Sequence, residues 1–419
     1  MMQYTLECTN CGHRFEESKA FSFTCPKQCV SLSRSVYSTK RITFRNFPGI
    51  WRYHDWLPVE KTTGYEGKSV TYKSSGLAKE LRLKNLYVSF NGFWPEMSAS
   101  VKTCTFKEFE AVVTLQYARE NNVKSLIVTS AGSVANAFGY IASMEKFKVF
   151  LLVPEQILQD LMVPHADEEY VKIIGVKGGY SDAKSLVNKF YSSTDITFDG
   201  GGKSVARRDA LGTVLLEAVE KMGKIPKHYF QAVSSGNGVV GVFETAKRLL
   251  DDGRFGKAAP MLHLSQNEPF VPIVRAWKKR KREIEENDFG VENPLSVLYA
   301  KVLSSKDPLY GIRGGVFDAL QNTSGETYGI TNEQATEAYE LFEAVEGIDI
   351  HPAAAVAVAS LMKAVESGNV KPQDSILLNI SGGGLKRVKE EVGLQKMKLN
   401  GKVEKDVSVE ELRRLLNEL

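Results

Sequence analysis

Three times this chain runs an apolar, strand-like segment into a polar, glycine-rich turn and then toward a helix. Residues 124–129 lead into Ser130-Ala131-Gly132-Ser133. Residues 228–233 lead into Ser234-Ser235-Gly236-Asn237-Gly238, and residues 375–380 into Ser381-Gly382-Gly383-Gly384. Residues 149–154 and 171–176 read as further strands, and 134–144 and 239–250 as helices. Continuous apolar strands alternating with helices specify an α/β protein with mainly parallel, buried sheet. Such sheets bind ligands beyond the carboxyl ends of their strands, which is where the three turns lie. The turn at 234–238 is the best anion cradle. Its small residues let backbone N–H groups approach a phosphate, and the helix that follows adds its dipole. It is neither a Walker loop nor a GxGxxG fingerprint.

A lysine supplies the chemistry. Thr105 and Glu108 have the spacing of a capping box, which makes Thr105 the N-cap and Lys107 the second residue of a helix. The positive end of the helix dipole disfavours an ammonium there and lowers its pKa. A neutral lysine is the form that attacks a carbonyl. Taken alone, the segment reads as a surface lysine after a cap. Taken with the three turns, it points to a phosphorylated cofactor that carries an aldehyde, and pyridoxal 5'-phosphate fits. Lys107 would hold it as a Schiff base, Ser234, Ser235, Gly236, Asn237 and Gly238 would hold its phosphate, and Ser381 would face the pyridine nitrogen. A hydroxyl leaves that nitrogen largely unprotonated and the ring a weaker electron sink. That suits elimination and replacement better than transamination.

Composition narrows the class. The 419 residues suggest two or three domains, and a net charge of +4 does not argue for nucleic acid. The basic run 278–282 is followed at once by Glu283, Glu285, Glu286 and Asp288, so it reads as a solvated helix face. The N-terminus shows no basic segment followed by an apolar one, hence no secretory signal. The uncharged run 125–144 is long enough to span a bilayer, but its serines, Thr129 and Asn136 favour a buried strand, a polar turn and a helix. No membrane association and a cytoplasmic location are therefore expected. Four of the five cysteines form Cys8-x2-Cys11 and Cys25-x3-Cys29. In a cytosolic chain this spacing suits a zinc ribbon better than disulfides, with His13 as a spare ligand. The alternative is a ribbon that keeps its cysteines and binds no metal. Cys104 reads as packing near Lys107.

The order of these features resembles that of the fold-type II pyridoxal-phosphate enzymes: cysteine knuckles, Trp51-Arg52-Tyr53 with Leu57-Pro58, Phe106-Lys107, the 130–133 loop, the phosphate loop, and Ser381-Gly382-Gly383-Gly384. Within that group the chain is most similar to the cysteate synthase branch, a threonine synthase paralogue. The residues behind this are Asn91-Gly92-Phe93-Trp94-Pro95-Glu96, the 102–108 segment, Leu262-His263-Leu264-Ser265-Gln266-Asn267, and residues 346–354. The resemblance implies a tryptophan-synthase-β-like fold: a zinc-ribbon-like segment at 1–35, a large α/β domain from 36–95 and 205–419, and a small α/β domain at 96–204. It implies β-replacement, in which O-phospho-L-serine loses phosphate through an aminoacrylate and takes up sulfite to give L-cysteate. Thr129, Ser130, Ala131 and Gly132 would receive the substrate carboxylate. Ser133 stands beside the ring where the family usually has asparagine, and Asn136 lies a turn too far along to replace it. Lys102 and His263 read either as substrate-anion contacts or as a surface lysine and a packed histidine. A homodimer is expected by analogy. Threonine synthase, a replacement enzyme with another nucleophile or phosphorylated amino acid, and a non-catalytic cofactor-binding paralogue remain alternative readings.

Overall fold

The structure, a computed structural model, describes residues 3–191 and 196–419. Its largest sheet has six strands in the order Glu326–Ile330, Met261–Asn267, His228–Ala232, Ser375–Ile380, Asn85–Phe90, Val70–Lys73. All neighbours are parallel except the edge pair of Val70–Lys73 with Asn85–Phe90. Adjacent residues point to opposite faces, and both faces are apolar. Tyr229 and Leu377 pack with helices Val205–Met222 and Asn237–Asp252, while Phe230 and Leu378 pack with helix Pro352–Glu366. A strand buried on both sides has no polar alternation, which is why these segments read as plain apolar runs. The two helices on the first face approach closely. A Cβ on Gly241 would lie 2.1 Å from the backbone oxygen of Arg208.

A second, wholly parallel sheet has the order Thr197–Phe198, Ser125–Thr129, Lys148–Pro154, Val171–Lys177, Leu399–Glu404. The last strand corrects the expected domain limits. Those limits place 205–419 in one domain, but Leu399–Glu404 pairs with Val171–Lys177, so the end of the chain belongs to the smaller sheet. As an edge strand with one buried residue, Val403, it carries little apolar signal. The helix Val409–Glu418 follows, with the Ser408 hydroxyl accepting from Glu411 N–H and Leu412 and Leu416 buried in the small-domain core.

The cysteine segment forms a three-stranded antiparallel sheet whose outer strand Ser33–Tyr37 runs just past the expected limit at 35. Its Phe21 packs edge-on against Tyr117, ring centroids 4.9 Å apart. Trp51, Trp56 and Leu57 are buried, as the aromatic stretch suggests. The 125–144 run is strand Ser125–Thr129 followed by helix Ser133–Glu145, and among the described residues no helix is long and apolar enough to cross a membrane. The basic run is not a helix face. Helix Pro272–Lys278 ends where it begins, and Arg280 adopts a left-handed turn. Lys279 then pairs with Asp288 at 2.7 Å and Arg282 with Asp318 at 2.5 Å, ion pairs that tie the segment to the following turn and to helix Val316–Asn322.

Because Leu412 is fully buried, Leu412→Ala is expected to lower the unfolding free energy by about 2–4 kcal/mol. Urea titration of the two chains measures this, and a loss under about 0.5 kcal/mol would mean the terminal helix does not contribute to the core.

Candidate active site

One cleft collects the carboxyl ends of strands from both sheets. Thr129, Ser130, Ala131, Gly132, Ser133, Ser234, Ser235, Gly236, Asn237, Gly238, Ser381 and Lys107 all line it. Residues that are far apart in the chain meet here because parallel strands present their ends on one side.

Lys107 is placed by backbone. Cys104 turns with φ 57°, and Thr105 then forms an isolated antiparallel bridge with Gly382. Gly383 N–H donates to Cys104 O, and Phe106 N–H to Ser381 O, each at 3.0 Å. The helix Lys107–Glu120 starts directly after this bridge. The expected capping box is therefore not formed. Phe106 is the cap residue, Lys107 is the first helical residue, and the Thr105 hydroxyl makes no cap bond. Glu108 turns instead to Thr103 N–H and to the Tyr65 hydroxyl. The bridge to Gly382 engages Thr105 one residue too early for it to cap.

The lysine's pKa is lowered, and burial is the main cause. Glu110 opposes the fall and Arg207 adds to it. Nζ lies 3.5 Å from Glu110 Oε1 and 4.7 Å from the centre of the Phe106 ring. Glu110 is fully buried. Burial works against its charge, but Arg207 and Lys107 outweigh burial and hold the carboxyl below its usual range. Arg207 grips it at both oxygens, at 2.9 and 3.1 Å, and reaches Asp199 at 2.8 Å with its remaining nitrogen.

The 234–238 turn has the form of a phosphate cradle. Gly236 has φ 94°, and a Cβ there would meet Val316 at 2.6 Å. Helix Asn237–Asp252 starts at the turn and directs its N-terminus into the cleft. Three buried polar atoms of cleft residues have no protein partner: Thr105 Oγ1, Asn237 Oδ1 and Ser305 Oγ. Buried polar atoms are rarely left unpaired, so these fit a polar, phosphorylated occupant. At the other loop the Ser130 hydroxyl accepts from Gly132 and Ala135 N–H at 3.0 and 2.8 Å, which fixes the turn. Ser133 lines the cleft and begins the next helix, whereas Asn136 does not line it.

Two candidates lie elsewhere. Lys102 is exposed and outside the cleft. His263 is buried in the large sheet, stacked on Phe230 and bonded to His228 and Tyr328 at 2.9 Å each. Its side chain points into one face of the sheet rather than past a strand end. The cleft histidine is His351, whose Nδ1 accepts from Ala353 N–H and whose pKa burial lowers to about 4. Sequence reasoning also missed Glu110, Asp199, Arg207 and Ser305. Only Glu110 left a signal, a carboxylate one helical turn from Lys107.

Cys8, Cys11, Cys25 and Cys29 bring their sulfurs within 4.8 Å of one another. Thiolates on one tetrahedral zinc lie roughly 3.8 Å apart, given Zn–S bonds of about 2.3 Å. Cys11 and Cys25 sulfurs are 3.8 Å apart. The set can hold a metal ion, and His13 is not part of it. Cys104 is packed with Phe93 and Val388.

Lys107 and the glycine-rich 234–238 turn line one cleft of an open α/β fold, and comparison with known proteins gives the class. The chain belongs to the pyridoxal-phosphate dependent enzyme family, which it matches over residues 63–382. Along nearly its whole length it is similar to proteins named cysteate synthase. That of Methanosarcina barkeri is 43% identical over 99% of this chain and 100% of its own. That of Methanocella arvoryzae is 45% identical over 94% of each. Maize serine racemase shares the fold, with a TM-score of 0.59 at 14% identity over 77% of this chain and 90% of its own. So does the processed form of threonine deaminase isoform 2 from Solanum lycopersicum, with a TM-score of 0.55 at 16% identity over 77% and 87%.

Burial raises the Glu108 pKa to about 7. Its folded pKa thus exceeds its unfolded value, so the folded state binds the extra proton between about pH 4.5 and 7. The stability this gives is full below that window and lost as pH rises through it. Glu108→Gln is expected to remove a fall on the order of 2–3 kcal/mol across the window, read by denaturant titration at several pH values. An unchanged slope would show that Glu108 stays ionised.

Proposed function

We propose that this chain is a pyridoxal-phosphate-dependent β-replacement enzyme that turns O-phospho-L-serine and sulfite into L-cysteate and phosphate. The observation that carries the reading is the placement of Lys107. Backbone bonds fix it beside Ser381, in one cleft with the 234–238 cradle. Full-length similarity to proteins named cysteate synthase supports the choice of substrates.

Lys107 would hold the cofactor. Ser234, Ser235, Gly236, Asn237 and Gly238 would hold its phosphate, and Ser133 and Ser381 would face its ring. The bound cofactor supplies an electron sink that acidifies the Cα proton of the amino acid. The 129–132 segment orients the substrate carboxylate through its backbone. Lys107 Nζ, whose pKa burial lowers, takes the Cα proton in its amine form while phosphate leaves Cβ. It returns the proton once the sulfite sulfur has bonded to Cβ. His351, neutral under working conditions, adds polarity beside Ser381 without adding charge. The cysteine set is read as a structural zinc site that makes no contact with the chemistry.

The test is phosphate release from phosphoserine by cofactor-loaded protein, with and without sulfite, and identification of the product by mass. Cysteate should form only when both are supplied, and Lys107→Ala should slow it by at least about a thousandfold. Turnover of phosphohomoserine in place of phosphoserine would overturn the substrate assignment. For the metal, elemental analysis should find one zinc per chain. A metal-free, equally stable protein would reduce the cysteines to packing.

A further inference from the structure

The helix that starts at Lys107 is buried along residues 108–118, charged residues included. Glu110 is the least expected of these. It lies one turn from Lys107 and is fully buried, and the functional reading above gives it no part. Its carboxylate is held from two sides, by Arg207 at both oxygens and by Lys107 Nζ at 3.5 Å. Arg207 is in turn held by Asp199, whose other oxygen accepts from Gly201 N–H at 3.0 Å. The formal charges decide what this arrangement does. With both carboxylates ionised, Glu110 and Asp199 bring two negative charges and Arg207 one positive; burial raises the Asp199 pKa, and Arg207 offsets part of that rise. With Lys107 neutral the group carries a surplus negative charge, and with a positive charge on Nζ it is balanced. An unbalanced charge in a buried site is strongly disfavoured. The network therefore favours a cation on Nζ and sets where it sits.

We propose that Glu110, oriented by Arg207 and Asp199, is a positioning residue for the reaction: it holds Lys107 Nζ on the cleft wall and sets how readily that nitrogen gains and gives up its proton. This rests on the functional reading above. It also resolves a conflict between the two tasks of Lys107. Burial alone would leave the amine a weak base, poor at drawing a proton from carbon. A fixed carboxylate 3.5 Å away restores part of that basicity. Among the described residues, no other charge near Nζ does so. Arg207 has the wrong sign, His351 is neutral, and Lys184 at the cleft mouth is paired with Asp307. Tyr180 lines the cleft, and Phe106 offers only its ring face.

The test titrates the Lys107 amine in the full chain freed of cofactor. Limiting acetic anhydride is applied at a series of pH values, and acetylation of the Lys107 peptide is quantified by mass. Glu110→Gln should move the midpoint down by at least about one pH unit, which is roughly tenfold more acetylation below the midpoint. Asp199→Asn, which does not touch Nζ, should move it less. The visible absorption band of the cofactor-loaded protein should shift its pH midpoint in the same direction. A midpoint in Glu110→Gln equal to that of the parent chain overturns the proposal. Should that variant fail to fold, Glu110→Asp keeps the charge but retreats by one methylene. A lowered midpoint there supports the proposal and an unchanged one overturns it. Failure of the functional reading looks different. Borohydride reduction of the loaded protein would then leave the pyridoxyl group on a lysine other than Lys107, whatever the amine titration shows.

Discussion

The short backbone contact between Cys104–Phe106 and Ser381–Gly383 holds the site together. It joins the start of the lysine helix to the end of a central strand of the large sheet through Thr105–Gly382 pairing and two 3.0 Å hydrogen bonds. Backbone bonds position more stiffly than side-chain contacts, because no rotamer can release them. Their effect is to set a lysine and a hydroxyl at a fixed spacing on one wall. The same glycine segment is held on its other side, where Ile350 bridges Gly383 and His351 N–H donates to Gly382 O at 2.8 Å. Ser381 is thus clamped between the residues preceding Lys107 and those preceding helix Pro352–Glu366. A Cβ at Gly382 would fall 2.3 Å from Cys104 O, so the clamp closes only around glycine.

Electrostatics on this wall follow from burial more than from the helix dipole. The dipole argument places the right residue near a helix start but attributes its lowered pKa to the minor cause. Burial of Lys107 is the largest contribution, with Arg207 adding to it and Glu110 opposing it. A dipole acts weakly and only over the first turn. Desolvation acts on the whole charged group and becomes large once side chains close around it. Which one prevails depends on the residues that surround the lysine, and Asp199 and Arg207 come from segments about ninety residues away in the chain.

The same distinction separates what was legible in the sequence from what was not. The parallel sheets were legible because both their faces are buried, so runs such as Ser375–Ile380 are apolar but for Ser375 and Asn379. The three turns were legible because small residues at strand ends have few other uses. The strand Leu399–Glu404 was not, because an edge strand needs few apolar residues and Val403 alone is buried. A histidine in a sequence motif carries no mark of direction, and of the two readings open for His263 the packed one holds. Its place within a buried strand put it in the sheet, while His351, just before a helix, faces the cleft. The capping box is not formed although its spacing is right: Thr105 pairs with Gly382 and the helix begins only at Lys107.

The contacts of the cysteine segment lead toward the 234–238 turn. Leu32 N–H donates to Arg313 O at 2.9 Å, and the Thr9 hydroxyl donates to the same oxygen and to Leu32 O. Arg313 belongs to a tight loop in which Gly315 N–H meets Ile312 O and Val316 N–H meets Leu309 O. Leu309 N–H donates to Ser235 O at 2.8 Å, and Val316 is the side chain that a Cβ on Gly236 would strike. The ribbon and the phosphate turn therefore support one loop from opposite ends. Four sulfurs close enough to hold a metal ion would make that support rigid at a size where apolar packing is not.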